Sequence, residues 1–174
     1  MTDRPTDARD DHSEPLTVVS IAGPSGAGKT TLVETLVSAF EDRRVATIKS
    51  IHHDIEPDTP GTDTHRHRIA GADTVVGITP DLTFEISRGG KGPDRDDTDA
   101  ELAALRRTLE RLAERGFDTV LVEGFSAAPL PTIRVGGDDE PDRNRIGTGE
   151  DSIETLRNAI EDADPVDLEI LLRP

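Results

Sequence analysis

Residues 23–30 read Gly23-Pro24-Ser25-Gly26-Ala27-Gly28-Lys29-Thr30, and their spacing, G-x-x-x-x-G-K-[ST], is that of a phosphate-binding loop. Each residue type answers a chemical need. Gly23, Gly26 and Gly28 let the backbone take conformations closed to other residues and approach a ligand closely. The N–H groups from Gly23 through Ser25, Ala27 and Thr31 then converge on phosphate oxygens at a helix N-terminus, where the dipole favours negative charge. Lys29 supplies a mobile point charge for β- and γ-phosphates. Thr30 offers a hydroxyl to Mg²⁺, an ion that keeps most of its waters and bridges phosphate oxygens.

The flanking sequence has the order such a loop requires. Residues 16–22, Leu-Thr-Val-Val-Ser-Ile-Ala, are apolar and β-branched, as expected of a buried strand. Residues 30–40 follow with Leu32, Val33, Leu36, Val37 and Phe40 on one helical face. A chance match to the motif in a chain of 174 residues is about a one-in-a-hundred event at average composition, and the strand and helix around it lower that further.

Composition narrows the function classes. Formal net charge is −16, from 36 acidic and 20 basic residues. Such a surface repels nucleic acid and anionic lipid, which argues against both as partners. Among the basic residues only Lys29, Lys49 and Lys91 are lysines. Strong acidity with scarce lysine points to a cytoplasm of high salt, such as that of a halophilic archaeon, where self-repulsion is screened. Cysteine is absent, so disulfides, thiolate nucleophiles and cysteine-based zinc sites are excluded. Residues 1–15 are charged, lack the apolar stretch of a signal peptide and read as a disordered acidic tail. Residues 16–174 are expected to form one nucleotide-binding domain, and the location to be cytoplasmic.

Along the rest of the chain, residues 44–49 read as a second strand and 50–63 as a polar loop. A short helix over 64–71 and a strand over 74–79 are expected, with 82–87 continuing the sheet. Residues 88–99, rich in Gly and Asp, look like a linker or lid. Leu102, Leu105, Leu109 and Leu112 form the apolar seam of a helix over 100–115, with Asp99 as its N-cap and Gly116 as its stop. A buried strand over 118–124 carries Glu123, and another strand spans 132–135. Residues 136–150 read as an acidic loop and 152–163 as a last helix. Alternating strands and helices imply right-handed βαβ units and an α/β fold with a mainly parallel sheet flanked by helices.

In such sheets, ligands lie beyond the carboxyl ends of the strands. Glu123 stands at that end of an apolar strand, placed to hold a water of the Mg²⁺ shell or to polarise an attacking water. Lys29 and Glu123 are therefore the candidate catalytic residues, and Thr30 and Glu123 the candidate Mg²⁺ ligands. The segment 50–67 holds four of the five histidines, His52, His53, His65 and His67, with Asp54, Asp58 and Asp63. Neighbours on a strand point to opposite faces and residues two apart do not share a helical face. The spacing therefore suits a loop over the nucleotide, in which His52, His53 or Asp54, and equally Asp63, touches a phosphate, Mg²⁺ or a second ligand, better than a dedicated zinc or nickel site.

Taken with the phosphate loop, several further segments resemble the molybdopterin-guanine dinucleotide biosynthesis adaptor family, the MobB type. Ile48-Lys49-Ser50-Ile51-His52-His53-Asp54 resembles its lysine–histidine segment. Asp58-Thr59-Pro60-Gly61-Thr62-Asp63-Thr64 is similar to its D-x-P-G-x-D-S/T signature, and Arg66-His67-Arg68-Ile69-Ala70-Gly71-Ala72 to the R-x-R-x-A-G-A element that follows. Leu121-Val122-Glu123-Gly124-Phe125 resembles its V-E-G-F strand end. The chain departs from the family pattern at Ser50, often histidine, at Ile69, often basic, and at Ser126, often lysine. The resemblance implies a P-loop NTPase fold, GTP and Mg²⁺ binding, weak GTPase activity and a homodimer. It also implies partnership with the molybdenum cofactor guanylyltransferase, molybdopterin as a second ligand, and a role either in delivering GTP or in helping transfer the cofactor to molybdoenzymes. The choice of GTP over ATP comes from the resemblance, since no N-K-x-D run is present. Two other readings share the phosphate loop: a small-molecule kinase, with Asp54, Asp63 or Glu123 at the acceptor, and a GTP-dependent metallochaperone using the histidines.

Overall fold

The computed structural model describes residues 16–92, 97–137 and 144–167. The expected tail, the middle of the expected 88–99 lid and most of the first half of the 136–150 loop lie outside them. Five parallel strands make the central sheet: β1 (Thr17–Ala22), β2 (Val45–Lys49), β5 (Thr119–Glu123), β6 (Thr132–Arg134) and β7 (Arg145–Thr148), in the order β2-β5-β1-β6-β7. The chain's first strand is thus the central one, buried on both faces, which is why it reads as an unbroken apolar run.

Alternate residues of these strands feed two cores. Val18, Val120 and Val122 pack with Leu105 and Leu109 of helix α3 (Thr98–Glu114). Val19, Ile21, Leu121 and Ile133 pack on the opposite face with Leu36 and Phe40, beside helix α1 (Lys29–Ala39), and with Leu156 and Ile160 of helix α4 (Ile153–Glu161). Nearly all of these side chains are at most 1% exposed, and full burial of one such side chain contributes about 1.5–3 kcal/mol. The result is a helix–sheet–helix sandwich whose loops at the carboxyl ends of β1, β2 and β5 face the same way.

The α3 seam falls as its spacing predicts, with Leu105 and Leu109 buried and Leu102 and Leu112 partly so. Gly116, at φ +71°, ends the helix: its N–H donates to Ala113 O and that of Phe117 to Leu112 O, a Schellman-type closure. The N-cap is Asp97, whose carboxylate accepts from Ala100 N at 2.9 Å, and not Asp99, which lies in the first turn. The helix begins at Thr98, two residues before the expected start at 100, so the cap falls on the earlier of the two aspartates.

Two other expectations are corrected. Residues 82–87 do not continue the sheet. They form β4 (Thr83–Ser87), which pairs antiparallel with β3 (Thr74–Ile78) in a separate two-stranded sheet. The four residues between the strands close a hairpin, with Thr79 N donating to Leu82 O at 2.7 Å. A parallel neighbour needs a crossover of a dozen residues or more. Residues 136–150 are not all loop, because Arg145–Thr148 is an edge strand. With Arg, Gly and Thr around a single isoleucine it carries no alternation to announce it. A Cβ at Gly147 would lie 2.6 Å from Leu156 Cδ2, so any other residue there would push the Leu156 side chain aside.

Helix α2 (Asp63–Ile69) is the short one expected, N-capped by Thr62. Among the described residues, no helix is long and apolar enough to cross a membrane.

Candidate functional site

The loop between β1 and α1 has the backbone its glycines allow. Gly23, Gly26 and Gly28 have φ of +150°, +77° and +95°. Gly28 is the N-cap residue of α1 and has no side chain to cap with, so the first N–H groups of that helix are left facing outward. At Gly23 the constraint is also spatial: a Cβ would lie 2.0 Å from the carbonyl oxygen of Val135, where the end of β6 crosses the loop. At Gly26 and Gly28 a Cβ would meet nothing within 4 Å. The loop surface there is open, and Ser25 and Gly26 are exposed. Lys29 folds back over the loop, its Nζ donating to Gly23 O at 3.0 Å and Pro24 O at 2.7 Å.

Thr30 and Glu123 come together. Both line one cleft of about 510 Å³ between α1 and β2, with Val33, Val37, Ile48, Lys49 and Leu121. Val37, expected on the buried face of α1, is 39% exposed on this cleft. The sheet register explains the grouping. Glu123 lies beside Ile21 of β1 and Lys49 of β2, so the strand that carries the carboxylate also borders the strand that feeds the loop. Lys49 Nζ donates to both carboxylate oxygens of Glu123, at 3.2 and 3.3 Å. A hydroxyl and a carboxylate form an all-oxygen donor pair, the kind that suits a hard, largely hydrated Mg²⁺.

A second cluster adjoins the first. Ser50, which directly follows β2, donates its N–H to Glu123 O at 2.8 Å. Its buried hydroxyl donates to Glu101 Oε1 at 2.5 Å and accepts from Lys91 Nζ. Lys91 also pairs with Glu101 at 2.8 Å. Burial alone would raise the Glu101 carboxyl, but the hydrogen bonds from Lys91 and Ser50 and the nearby charges of Lys91 and His52 outweigh it and hold the group below its usual range. Lys91 therefore anchors the start of the 88–99 segment to the end of β2. His52 Nε2 lies 3.5 Å from Ser50 Oγ, at the edge of this network, and His53 is exposed.

Asp63 stands apart from these groups. It is the first residue of α2, pairs with Arg66 at 3.5 Å and lines a different cavity with His65, His67 and Ile69. The preceding turn is braced by its own side chains. Asp58 accepts from Thr59 N and Thr62 Oγ1, Gly61 N donates to His65 Nδ1, and Arg68 clamps both oxygens of Glu56. Hydrogen bonds from Thr64 first, then from Thr59 and Thr62, hold Asp58 below the usual carboxylate range. Among the described residues no three His, Asp or Glu side chains are grouped as metal ligands.

Residues 18–160 match the family model described as molybdopterin guanine dinucleotide synthesis protein B, MobB. The chain belongs to the MobB family. It is 30% identical over 162 residues to the molybdopterin-guanine dinucleotide biosynthesis adapter protein of Escherichia coli, covering 87% of this chain and 88% of that one. It is 36% identical over 120 residues to the protein of the same description from Haemophilus influenzae, covering 68% and 62%. The crystal structure of Bacillus subtilis MobB superposes with a TM-score of 0.59 at 19% identity, over 83% of this chain and 97% of that one. At that identity the likeness speaks for the fold, which is the P-loop NTPase fold expected from the sequence.

Sequence reasoning missed Lys49, Ser50, Lys91 and Glu101 as members of the site. A signal was available for two of them: three lysines in a chain of 20 basic residues are few enough to ask of each why it is not arginine.

Proposed function

We propose that this protein is a GTP-binding adaptor in molybdopterin guanine dinucleotide biosynthesis, with slow Mg²⁺-dependent GTP hydrolysis, that assists the molybdenum cofactor guanylyltransferase. The observation that carries the reading is the pairing of an open, glycine-built loop at the N-terminus of α1 with Thr30 and Glu123 in one adjoining cleft. Membership of the MobB family supplies the pathway.

In this reading the amides from Gly23 to Thr31, including those of Ser25, Gly26, Ala27 and Gly28, receive the phosphate tail. Lys29 exchanges its two loop carbonyls for β- and γ-phosphate oxygens, trading neutral acceptors for charged ones, which bind about twice as strongly. Thr30 and Glu123 hold Mg²⁺, which when bound neutralises charge on the phosphates. Glu123 also orients the attacking water. An arginine that enters the site can contribute about 10³–10⁵ in rate. Slow turnover in the isolated chain, and a larger rate in complex with a partner, follow if such an arginine comes from outside. His52 and His53, just beyond β2, serve the second ligand, molybdopterin, and Asp63 meets it from the separate cavity at the start of α2.

The protein works as a cytoplasmic homodimer. The exposed apolar residues of the hairpin region, Val76, Ile78 and Leu82, at 52, 81 and 70%, suit a surface that a second copy covers. The acidic, lysine-poor composition suits molar salt, so stability should rise with KCl, and full folding in dilute buffer would count against a halophilic setting.

The test is nucleotide binding in molar KCl, GTP against ATP, with and without the guanylyltransferase. The reading expects GTP to bind in preference, phosphate release without a phosphorylated acceptor, and a tighter or faster reaction with the partner. Equal ATP binding together with transfer to a small acceptor would favour a kinase instead.

A further inference from the structure

The chain holds 20 basic residues and only three lysines. Arginine occupies the other basic positions, exposed helix faces such as Arg66 and Arg111 included. The lysines are not scattered. Lys29 Nζ lies on the carbonyls of Gly23 and Pro24, Lys49 on Glu123, and Lys91 on Ser50 and Glu101, with Ser50 N bonded to Glu123 O. All three meet at the carboxyl ends of β1, β2 and β5. Lysine differs from arginine in being a compact point charge with three rotatable donors, not a planar fork that grips a carboxylate with two parallel bonds. Lys91 anchors a segment, whereas Lys29 and Lys49 are cations that can let go.

We propose that Lys49 is a positioning residue for Glu123: it is the resident counter-charge that Mg²⁺ displaces, so that the chain sets its own magnesium affinity through this pair. The inference rests on the reading of Thr30 and Glu123 as the Mg²⁺ pair. The two partners are unequal. The Glu123 side chain is 15% exposed and that of Lys49 is 56% exposed. The carboxylate is held in place between β1 and β2, whereas the ammonium can swing into water at little cost. Lys49 occupies both carboxylate oxygens, so a cation that takes Glu123 must share or replace it. Repulsion between the ammonium and Mg²⁺ acts in the same direction as this competition. Removing the lysine charge should therefore tighten magnesium binding, and a guanidinium, with its bidentate grip, should loosen it.

The experiment uses the full chain at one fixed KCl concentration, loaded with a fluorescent N-methylanthraniloyl GTP in EDTA and then titrated with Mg²⁺. Lys49→Met should bind Mg²⁺ more tightly than wild type by about three- to fivefold, the size of one half-exposed ion pair. Lys49→Arg should bind it more weakly by a similar factor. Position 49 is exposed, and thermal melts of both variants should match wild type. A Mg²⁺ affinity that falls in Lys49→Met, or that is the same in all three proteins, overturns the inference while leaving nucleotide binding intact. Failure of wild type to bind the nucleotide, with or without Mg²⁺, overturns the nucleotide reading and this inference with it. The two failures are thus distinguished by the metal-free binding step.

Discussion

The loop at residues 23–31 and the turn at residues 56–68 are both rich in polar groups, yet they use them in opposite ways. In the first, the glycines present open backbone at positive φ, and the N-terminus of α1 has no capping side chain. In the second, Glu56, Asp58, Thr62, His65 and Arg68 bond to one another and to the local backbone. A segment whose donors converge outward is built to hold something. A segment whose donors are spent internally is built to hold its own shape. The comparison also separates two kinds of sequence signal, because the histidine- and aspartate-rich turn attracts more suspicion by composition than the glycine loop does.

The contrast can be broken at its strongest point first. Lys29→Ala should weaken GTP binding about 100-fold, the loss of charge-assisted bonds to two phosphates, and abolish hydrolysis with an unchanged melting temperature. Isothermal titration in molar KCl against a thermal melt checks both halves. Gly23→Ala should lower stability by about 3 kcal/mol, because its Cβ would meet the Val135 carbonyl at 2.0 Å; denaturant unfolding measures it. A variant as stable as wild type would show that β6 and the loop are not rigidly joined.

Glu101→Gln tests the Ser50–Lys91–Glu101 cluster at the end of β2. It should cost about 1–2 kcal/mol at pH 7, one half-buried charged hydrogen bond. The folded carboxyl lies below its ordinary value of 4.5. Its contribution is therefore complete above about pH 4.5 and is lost as pH falls through the folded value. The gap between wild type and Glu101→Gln should close in that acidic range, as urea unfolding at several pH values would reveal. The smallest change belongs to the self-braced turn: Thr62→Ala removes the N-cap of α2 and should cost about 1 kcal/mol while GTP affinity stays within about twofold. A large loss of affinity there would erase the distinction drawn above.

These differences also explain what was legible beforehand. β1, the loop and α1 are contiguous, so their periodicity and glycine spacing declare them in one window. The α3 seam is equally local, with Leu105 and Leu109 a turn apart and both buried. The partition of β3 and β4 into their own sheet was harder to see, although the four-residue connection held the clue. β7 had no alternation and a glycine shaped by Leu156, 9 residues away in sequence but in contact through the fold. The Lys49–Glu123 pair joins residues 74 apart. It exists because β5 lies between β1 and β2, and strand order is a tertiary fact that no local pattern carries. Glu123 was readable as a strand-end carboxylate, but its partner was not.

The most direct measurement is a crystal structure of the full chain grown in molar KCl with Mg²⁺ and a non-hydrolysable GTP analogue. The account predicts β- and γ-phosphate oxygens within hydrogen-bonding distance of the Gly26–Thr30 amides, Lys29 turned from the Gly23 and Pro24 carbonyls onto the phosphates, and the metal between Thr30 and Glu123. A nucleotide bound elsewhere, with Lys29 still seated on those carbonyls, would contradict it.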